Sequence, residues 1–138
     1  MSRLLSPSGP EIFTAGWSSS ASSDLITLGQ FTHKFESHYL VQARGGTPDE
    51  APQAYKERSP VNKADKIKAP LLVLQGSLDA VVPPNQAELI VSNIRKRGGR
   101  VEYIVFEGEG HGWRKAENIK TALEKELAFY EDVFGLRR

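Results

Sequence analysis

Two residues that could transfer a proton in catalysis, Asp79 and His111, each follow an apolar run typical of a strand. Asp79 comes shortly after Leu71–Leu74, and His111 comes shortly after Val101–Phe106. In α/β proteins, reactive groups gather in the loops just past the carboxyl ends of parallel strands. A carboxylate beside an imidazole there fixes the ring's tautomer and stabilises its charged form while the ring moves a proton.

The elements that would position this pair are two strands and two helices in alternation. Leu71–Leu74 lacks polar alternation, which favours a near-central strand buried on both faces. A helix between the strands is predicted by apolar residues at helical spacing: Ala87, Ile90, Val91 and Ile94. Pro84 suits its first turn, and Gly98 and Gly99 suit its end. A last helix is predicted by one apolar stripe: Ile119, Leu123, Leu127, Tyr130 and Phe134. The alternation predicts an α/β fold with a short, mostly parallel sheet flanked by helices.

The N-terminal half of the chain carries weaker signals. Residues 1–11 are predicted to be an irregular lead, and Ile12–Trp17 a short strand. The serine cluster Ser18–Ser23 is assigned to a loop, because hydroxyl side chains favour turns. Aromatic and polar residues at helical spacing predict a helix within Leu25–Leu40, and a short helix is expected around Ala51–Lys56.

Composition narrows the classes of function. A length of 138 residues suits one domain, and a net charge of +1 argues against nucleic acid or anionic membrane as a partner. The absence of cysteine excludes disulfides and thiolate chemistry. No export signal and no run of roughly twenty apolar residues is visible, so a cytoplasmic location is the default expectation.

Two polar groupings are assigned no ligand. His33, Glu36 and His38 lack the i, i+4 histidine spacing of paired helical metal ligands, so a solvated helix face is favoured. Arg95–Arg97 falls at a predicted helix end, where cations complement the helix dipole. The sequence therefore predicts neither a metal nor a cofactor.

Beyond these patterns, a longer set of residues resembles the C-terminal part of the catalytic domain of the prolyl oligopeptidase family, closest to its dipeptidyl and acylaminoacyl peptidase branch. The resemblance is carried by Tyr55, Ser59, Pro60, Ile67, Pro70, Gly76, Asp79, Val82, Pro83, Pro84, Phe106, Glu107, Gly108, Glu109, His111 and Gly112. It implies that residues 12–138 form the C-terminal portion of an α/β-hydrolase domain. It also implies that Asp79 is the acid and His111 the base of a catalytic triad, and that Gly108, Gly110 and Gly112 let the histidine loop turn tightly.

The family's nucleophile is expected in a G-x-S-x-G turn between a strand and a helix. Ser18 comes nearest to that pattern, with Gly16 two positions before it, but Ser20 stands where the second glycine belongs. We therefore expect the chain to retain the acid and the base without the nucleophile, and to be inactive alone.

Three functions follow from this interpretation. The first is a fragment of a serine peptidase or aminopeptidase that hydrolyses peptide or acyl-amino bonds, with a peptide or acyl-peptide as substrate of the intact enzyme. The second is an esterase or lactone hydrolase of the same fold, and the third is a non-catalytic module that acts only with a partner. Removal of the nucleophile strand would expose a sheet edge, so a homo-oligomer formed through that edge is also expected.

Overall fold

The fold is built on a parallel sheet of three strands. The computed structural model describes residues 14–20, Asp24, Thr47 and residues 49–136. Its strands are β1 (Gly16–Ser19), β2 (Leu71–Gly76) and β3 (Val101–Phe106), which lie in that order and are all parallel. Its helices are α1 (Pro52–Arg58), a 3₁₀ helix (Pro60–Lys66), α2 (Pro84–Lys96) and α3 (Ala116–Val133). The predicted α/β architecture with a short parallel sheet flanked by helices is confirmed.

The central strand β2 divides the interior into two cores. Leu71 and Val73 face a core that α2 completes with four apolar side chains, Ala87, Ile90, Val91 and Ile94. Leu72 and Leu74 face the opposite core, which contains Phe106 of β3 together with Ala122 and Phe129 of α3. Successive residues of a strand point to opposite faces, so an unbroken apolar run can serve both cores. The prediction of a central strand buried on both faces is confirmed.

Helix α2 has the predicted boundaries. It begins at Pro84, and its backbone continues to Lys96. The N–H of Gly98 then donates to the carbonyl of Arg95, and the N–H of Gly99 donates to the carbonyl of Ile94. Gly98 has a φ of +77°, a left-handed conformation that glycine adopts freely and that ends many helices. The predicted short helix near Ala51–Lys56 is also present as α1.

The first strand lies further along the chain than the sequence predicts. Ile12–Trp17 is the expected strand, but β1 spans Gly16–Ser19, and it therefore includes two serines of the cluster assigned to a loop. Ser18 is opposite Val73 in the register and only 4% exposed. Pairing with the buried strand β2 overrides the low strand preference of serine. Within residues 14–20 and 49–136, no strand pairs with the other side of β1, and association through that edge stays a prediction.

Helix α3 is present where it is expected, but the predicted apolar stripe is not its packing face. Four of the five residues of that stripe are largely exposed: Ile119 (41%), Leu123 (63%), Leu127 (61%) and Phe134 (51%). The fifth, Tyr130, is partly buried at the edge of the α3 core. Ala122 and Phe129 are instead buried against the sheet. These two lie seven positions apart, or about two helical turns, so they share a face. The helix has two apolar surfaces, and helical periodicity alone does not distinguish them.

Several predictions made from the N-terminal half fall outside the described residues. These are the irregular lead 1–11, the start of the strand at Ile12 and Phe13, the helix within Leu25–Leu40, and the grouping of His33, Glu36 and His38. Among the helices that the structure describes, none has the length and apolar character needed to cross a bilayer.

The two surfaces of α3 can be distinguished by mutation. We predict that Phe129→Ala lowers the free energy of unfolding by about 3–5 kcal/mol, because it leaves a cavity beside β2. Leu127→Ala, on the exposed side of the same helix, should change it by no more than about 0.5 kcal/mol. Urea denaturation of both variants measures the difference. Equal losses would contradict the burial of Phe129 and the exposure of Leu127.

Candidate active site

The structure brings Asp79 and His111 together at the carboxyl ends of β2 and β3. Nδ1 of His111 lies 3.0 Å from Oδ2 of Asp79, which is hydrogen-bonding distance. The Asp79 side chain is fully buried, whereas the His111 side chain is 50% exposed. Asp79 thus occupies Nδ1, and the other ring nitrogen, Nε2, is the one that faces away from the carboxylate. No described residue forms a hydrogen bond with Nε2.

The carboxylate of Asp79 accepts hydrogen bonds from four donors. Oδ1 accepts the backbone N–H groups of Val81 at 3.0 Å and Val82 at 2.8 Å. Oδ2 accepts the hydroxyl of Ser20 at 2.9 Å in addition to His111. A buried charge is tolerated when hydrogen bonds replace its hydration, and here both oxygens are fully occupied. The acid is therefore held in one orientation.

The two loops that carry the acid and the histidine are joined by backbone contacts. The N–H of Leu78 donates to the carbonyl of Glu109 at 2.9 Å, and the N–H of Ser77 donates to the carbonyl of Phe106 at 3.1 Å. The hydroxyl of Ser77 accepts the N–H of Gly108 at 2.9 Å. A Cβ atom at Gly76 would lie only 2.4 Å from the carbonyl oxygen of Gly110. Glycine at position 76 is what permits this approach.

Glu109, two positions before His111, anchors the histidine loop to the start of α3. Its carboxylate accepts the backbone N–H groups of Arg114 and Lys115, both at 2.9 Å, and the side-chain amide of Asn118 at 2.8 Å. These hydrogen bonds, led by that of Asn118, hold the pKa of Glu109 below its usual value. Only 2% of the residue is exposed. An ionised carboxylate with three donors therefore fixes a loop that is otherwise rich in glycine.

The glycines of this loop serve different purposes. Gly108 and Gly112 have φ values of +75° and +103°, which other residues rarely adopt. Gly110 has no positive φ, and its carbonyl packs against Gly76. After the loop, the ring of Trp113 packs on Phe106 with a centroid distance of 4.8 Å, which joins the loop to the α3 core.

Two residues that contact the site had no assigned role in the sequence. The sequence pattern predicts a loop at Ser20, and its contact with Asp79 spans 59 positions, so no local pattern points to it. Glu109 belongs to the motif around His111, but its partners lie five to nine positions further on and do not match the spacing of a capping box. The position of Glu109 shortly before a predicted helix is the one feature of the sequence that suggests a contact with the start of that helix.

Ser18, the serine nearest to the nucleophile pattern, does not have the predicted surroundings of a nucleophile. Ser18 lies inside β1 and not in a turn between a strand and a helix. In the part of the chain that the structure describes, no three histidine, cysteine, aspartate or glutamate side chains form a group suited to a metal ion.

A sequence model of the prolyl oligopeptidase family matches residues 1–137. The chain belongs to this family. Its three parallel strands and flanking helices are also those of α/β-hydrolase peptidases of known structure, as expected from the resemblance.

Several known proteins are similar to the chain in sequence or in structure. Dipeptidyl aminopeptidase BIII of Pseudoxanthomonas mexicana is 34% identical over 116 residues, which are 81% of this chain and 17% of that enzyme. The structure of a puromycin-hydrolysing peptidase of Mycobacterium tuberculosis has a TM-score of 0.85 and 43% identity, and the match covers 89% of this chain and 19% of that one. Esterase LipC of the same species is 32% identical over 76 residues, 54% of this chain and 19% of the esterase. The chain thus spans less than a fifth of the length of these relatives.

The close approach of the Gly110 carbonyl to Gly76 should make position 76 intolerant of a side chain. We predict that Gly76→Ala lowers the free energy of unfolding by about 1–3 kcal/mol, because backbone carbonyls must move away from the new methyl group. Gly110→Ala is the matched control, since its Cβ would meet nothing closer than the Leu78 carbonyl oxygen at 3.9 Å. Thermal denaturation measures the two effects. Comparable stability of the two variants would contradict the close approach of the loops.

The anchoring role of Glu109 predicts a dependence on pH. The pKa of Glu109 is lowered by folding, so its stabilisation is present above the ordinary value of 4.5 and is lost as the pH falls through the lower folded value. We predict that Glu109→Gln lowers Tm at pH 7, and that the difference from the unsubstituted chain narrows below about pH 4.5.

Glu107→Gln is the control for this experiment, because it removes the same charge from an exposed side chain of the same loop. It should leave Tm at pH 7 close to that of the unsubstituted chain. A gap between Glu109→Gln and the unsubstituted chain that stays constant down to pH 3 would argue against an ionised Glu109 as the anchor.

Proposed function

We propose that Asp79 and His111 are the acid and the base of a Ser–Asp–His triad that hydrolyses peptide or acyl-amino bonds, with a nucleophilic serine that these 138 residues do not contain. The observation that carries the proposal is the 3.0 Å contact between Nδ1 of His111 and a buried, four-fold hydrogen-bonded carboxylate. This arrangement leaves Nε2 on the half-exposed side of the pair, where a nucleophile can approach it.

In the proposed reaction, Nε2 of His111 takes the hydroxyl proton as the serine oxygen bonds to the carbonyl carbon of the substrate. The resulting imidazolium is stabilised by Asp79, which stays ionised. The imidazolium then gives its proton to the leaving amine as the carbon–nitrogen bond breaks, which leaves an acyl-serine. A water molecule, deprotonated by the same nitrogen, releases the acid product and regenerates the serine.

Similarity to two peptidases favours amide substrates with an aminoacyl or short peptidyl group. The chain matches part of a dipeptidyl aminopeptidase and part of a puromycin-hydrolysing peptidase. Ester hydrolysis is the second candidate, because Esterase LipC matches 54% of the chain and the same two residues serve either bond.

A chimera tests this proposal directly. The corresponding C-terminal region of the Mycobacterium tuberculosis puromycin-hydrolysing peptidase is replaced by this chain, so that the relative supplies the remaining parts of the site. We predict that the chimera hydrolyses an aminoacyl amide such as puromycin. Asp79→Asn and His111→Gln should each lower kcat by about 10³-fold or more, which is typical of losses within a triad. A folded chimera that hydrolyses only esters would favour the esterase instead.

The 138-residue chain by itself is the control. It should neither hydrolyse aminoacyl amides nor react stoichiometrically with a fluorophosphonate, because the proposed nucleophile is not among its serines. Stoichiometric labelling that disappears in Ser18→Ala would contradict that assignment. A folded chimera with no hydrolytic activity of any kind would support the non-catalytic module.

A further inference from the structure

Ser20 stands out because it reaches the candidate acid from a different part of the chain. Three of the four donors to the Asp79 carboxylate belong to its own turn or to His111, whereas Ser20 follows β1. Its backbone N–H donates to the carbonyl of Leu74 at 3.0 Å, which continues the pairing of β1 with β2. The position of its hydroxyl is therefore set by the sheet.

The backbone of Ser20 is also in an unusual conformation. Its φ is +55°, and it is the only residue other than glycine with a positive φ in the described part of the chain. Glycine would adopt this conformation without strain. A backbone requirement alone would thus be met better by glycine, whereas serine adds a hydroxyl that donates to Oδ2. Ser20 is only 7% exposed, so water does not readily replace it.

We propose that Ser20 is a positioning residue for the catalytic pair, and that its hydroxyl holds Oδ2 of Asp79 toward Nδ1 of His111. The proposal rests on the proposed function of Asp79 and His111. Oδ2 has two acceptor positions, and the hydroxyl of Ser20 occupies the one that His111 leaves. It also covers the carboxylate on the β1 side, where water would otherwise compete with His111 for the same oxygen.

The test measures the Nδ1 proton of His111 by NMR in the 138-residue chain labelled with ¹⁵N-histidine. In the unsubstituted chain this proton should give a resonance protected from exchange with solvent, and Asp79→Asn should remove the protection. Ser20→Ala and Ser20→Gly should each make exchange about tenfold faster, the change expected when one hydrogen bond to a charged group is lost. Ser18→Ala, which removes a buried hydroxyl from β1 two positions before Ser20, should leave the rate unchanged.

The pair of variants at position 20 separates the hydroxyl from the backbone. Glycine adopts the left-handed conformation of position 20 without strain, so Ser20→Gly should have a higher Tm than Ser20→Ala. The exchange of the Nδ1 proton should nevertheless be faster by the same factor in the two variants. Slow exchange in Ser20→Gly would overturn the role of Ser20 and leave only a structural turn. A resonance that Asp79→Asn does not affect would overturn the catalytic pair itself, and the role of Ser20 with it.

Discussion

The carboxyl ends of β2 and β3 lie side by side because the two strands pair in parallel, with Gly76 opposite Phe106. The turns that follow must therefore pass each other at close range, and they do so where position 76 has no side chain. The contact between Asp79 and His111 follows from this backbone arrangement. An attraction between two side chains, one of them half exposed to water, would be too weak to bring two loops together.

The same constraint links the site to both cores. Leu72 and Leu74 place β2 against α3, and the start of α3 is attached to the histidine loop through Glu109 and Asn118. On the opposite face, Leu71 and Val73 hold α2, whose first turn follows the Asp79 loop. A shift of either helix would thus move one of the two loops. We infer that the stability of the small sheet and the geometry of the pair depend on the same contacts.

The parts of the fold that could be predicted are those with strong local signals. β3 lies at its predicted bounds, and α2 is delimited by Pro84 and Gly98 as expected, because proline and glycine act on the backbone where they occur. β1 could not be placed from its composition, since Ser18 and Ser19 become strand residues only by pairing with β2. The contact of Ser20 with Asp79 joins residues far apart in sequence, which no local pattern encodes. The proximity of Asp79 and His111 could be predicted from their places just after two strands, because parallel pairing brings the carboxyl ends of those strands together.

The two buried carboxylates of the site meet the same physical requirement with different partners. Each needs enough donors to replace water, and Glu109 finds them in the segment leading into α3, so it fixes the loop and faces no reactive group. Asp79 has its Oδ1 held by two peptide N–H groups, and this leaves Oδ2 directed at the histidine. In the proposed reaction His111 gains and loses a positive charge in each cycle. A carboxylate already fixed by peptide groups stabilises that charge without reorganising, which is the condition under which electrostatic stabilisation is most effective.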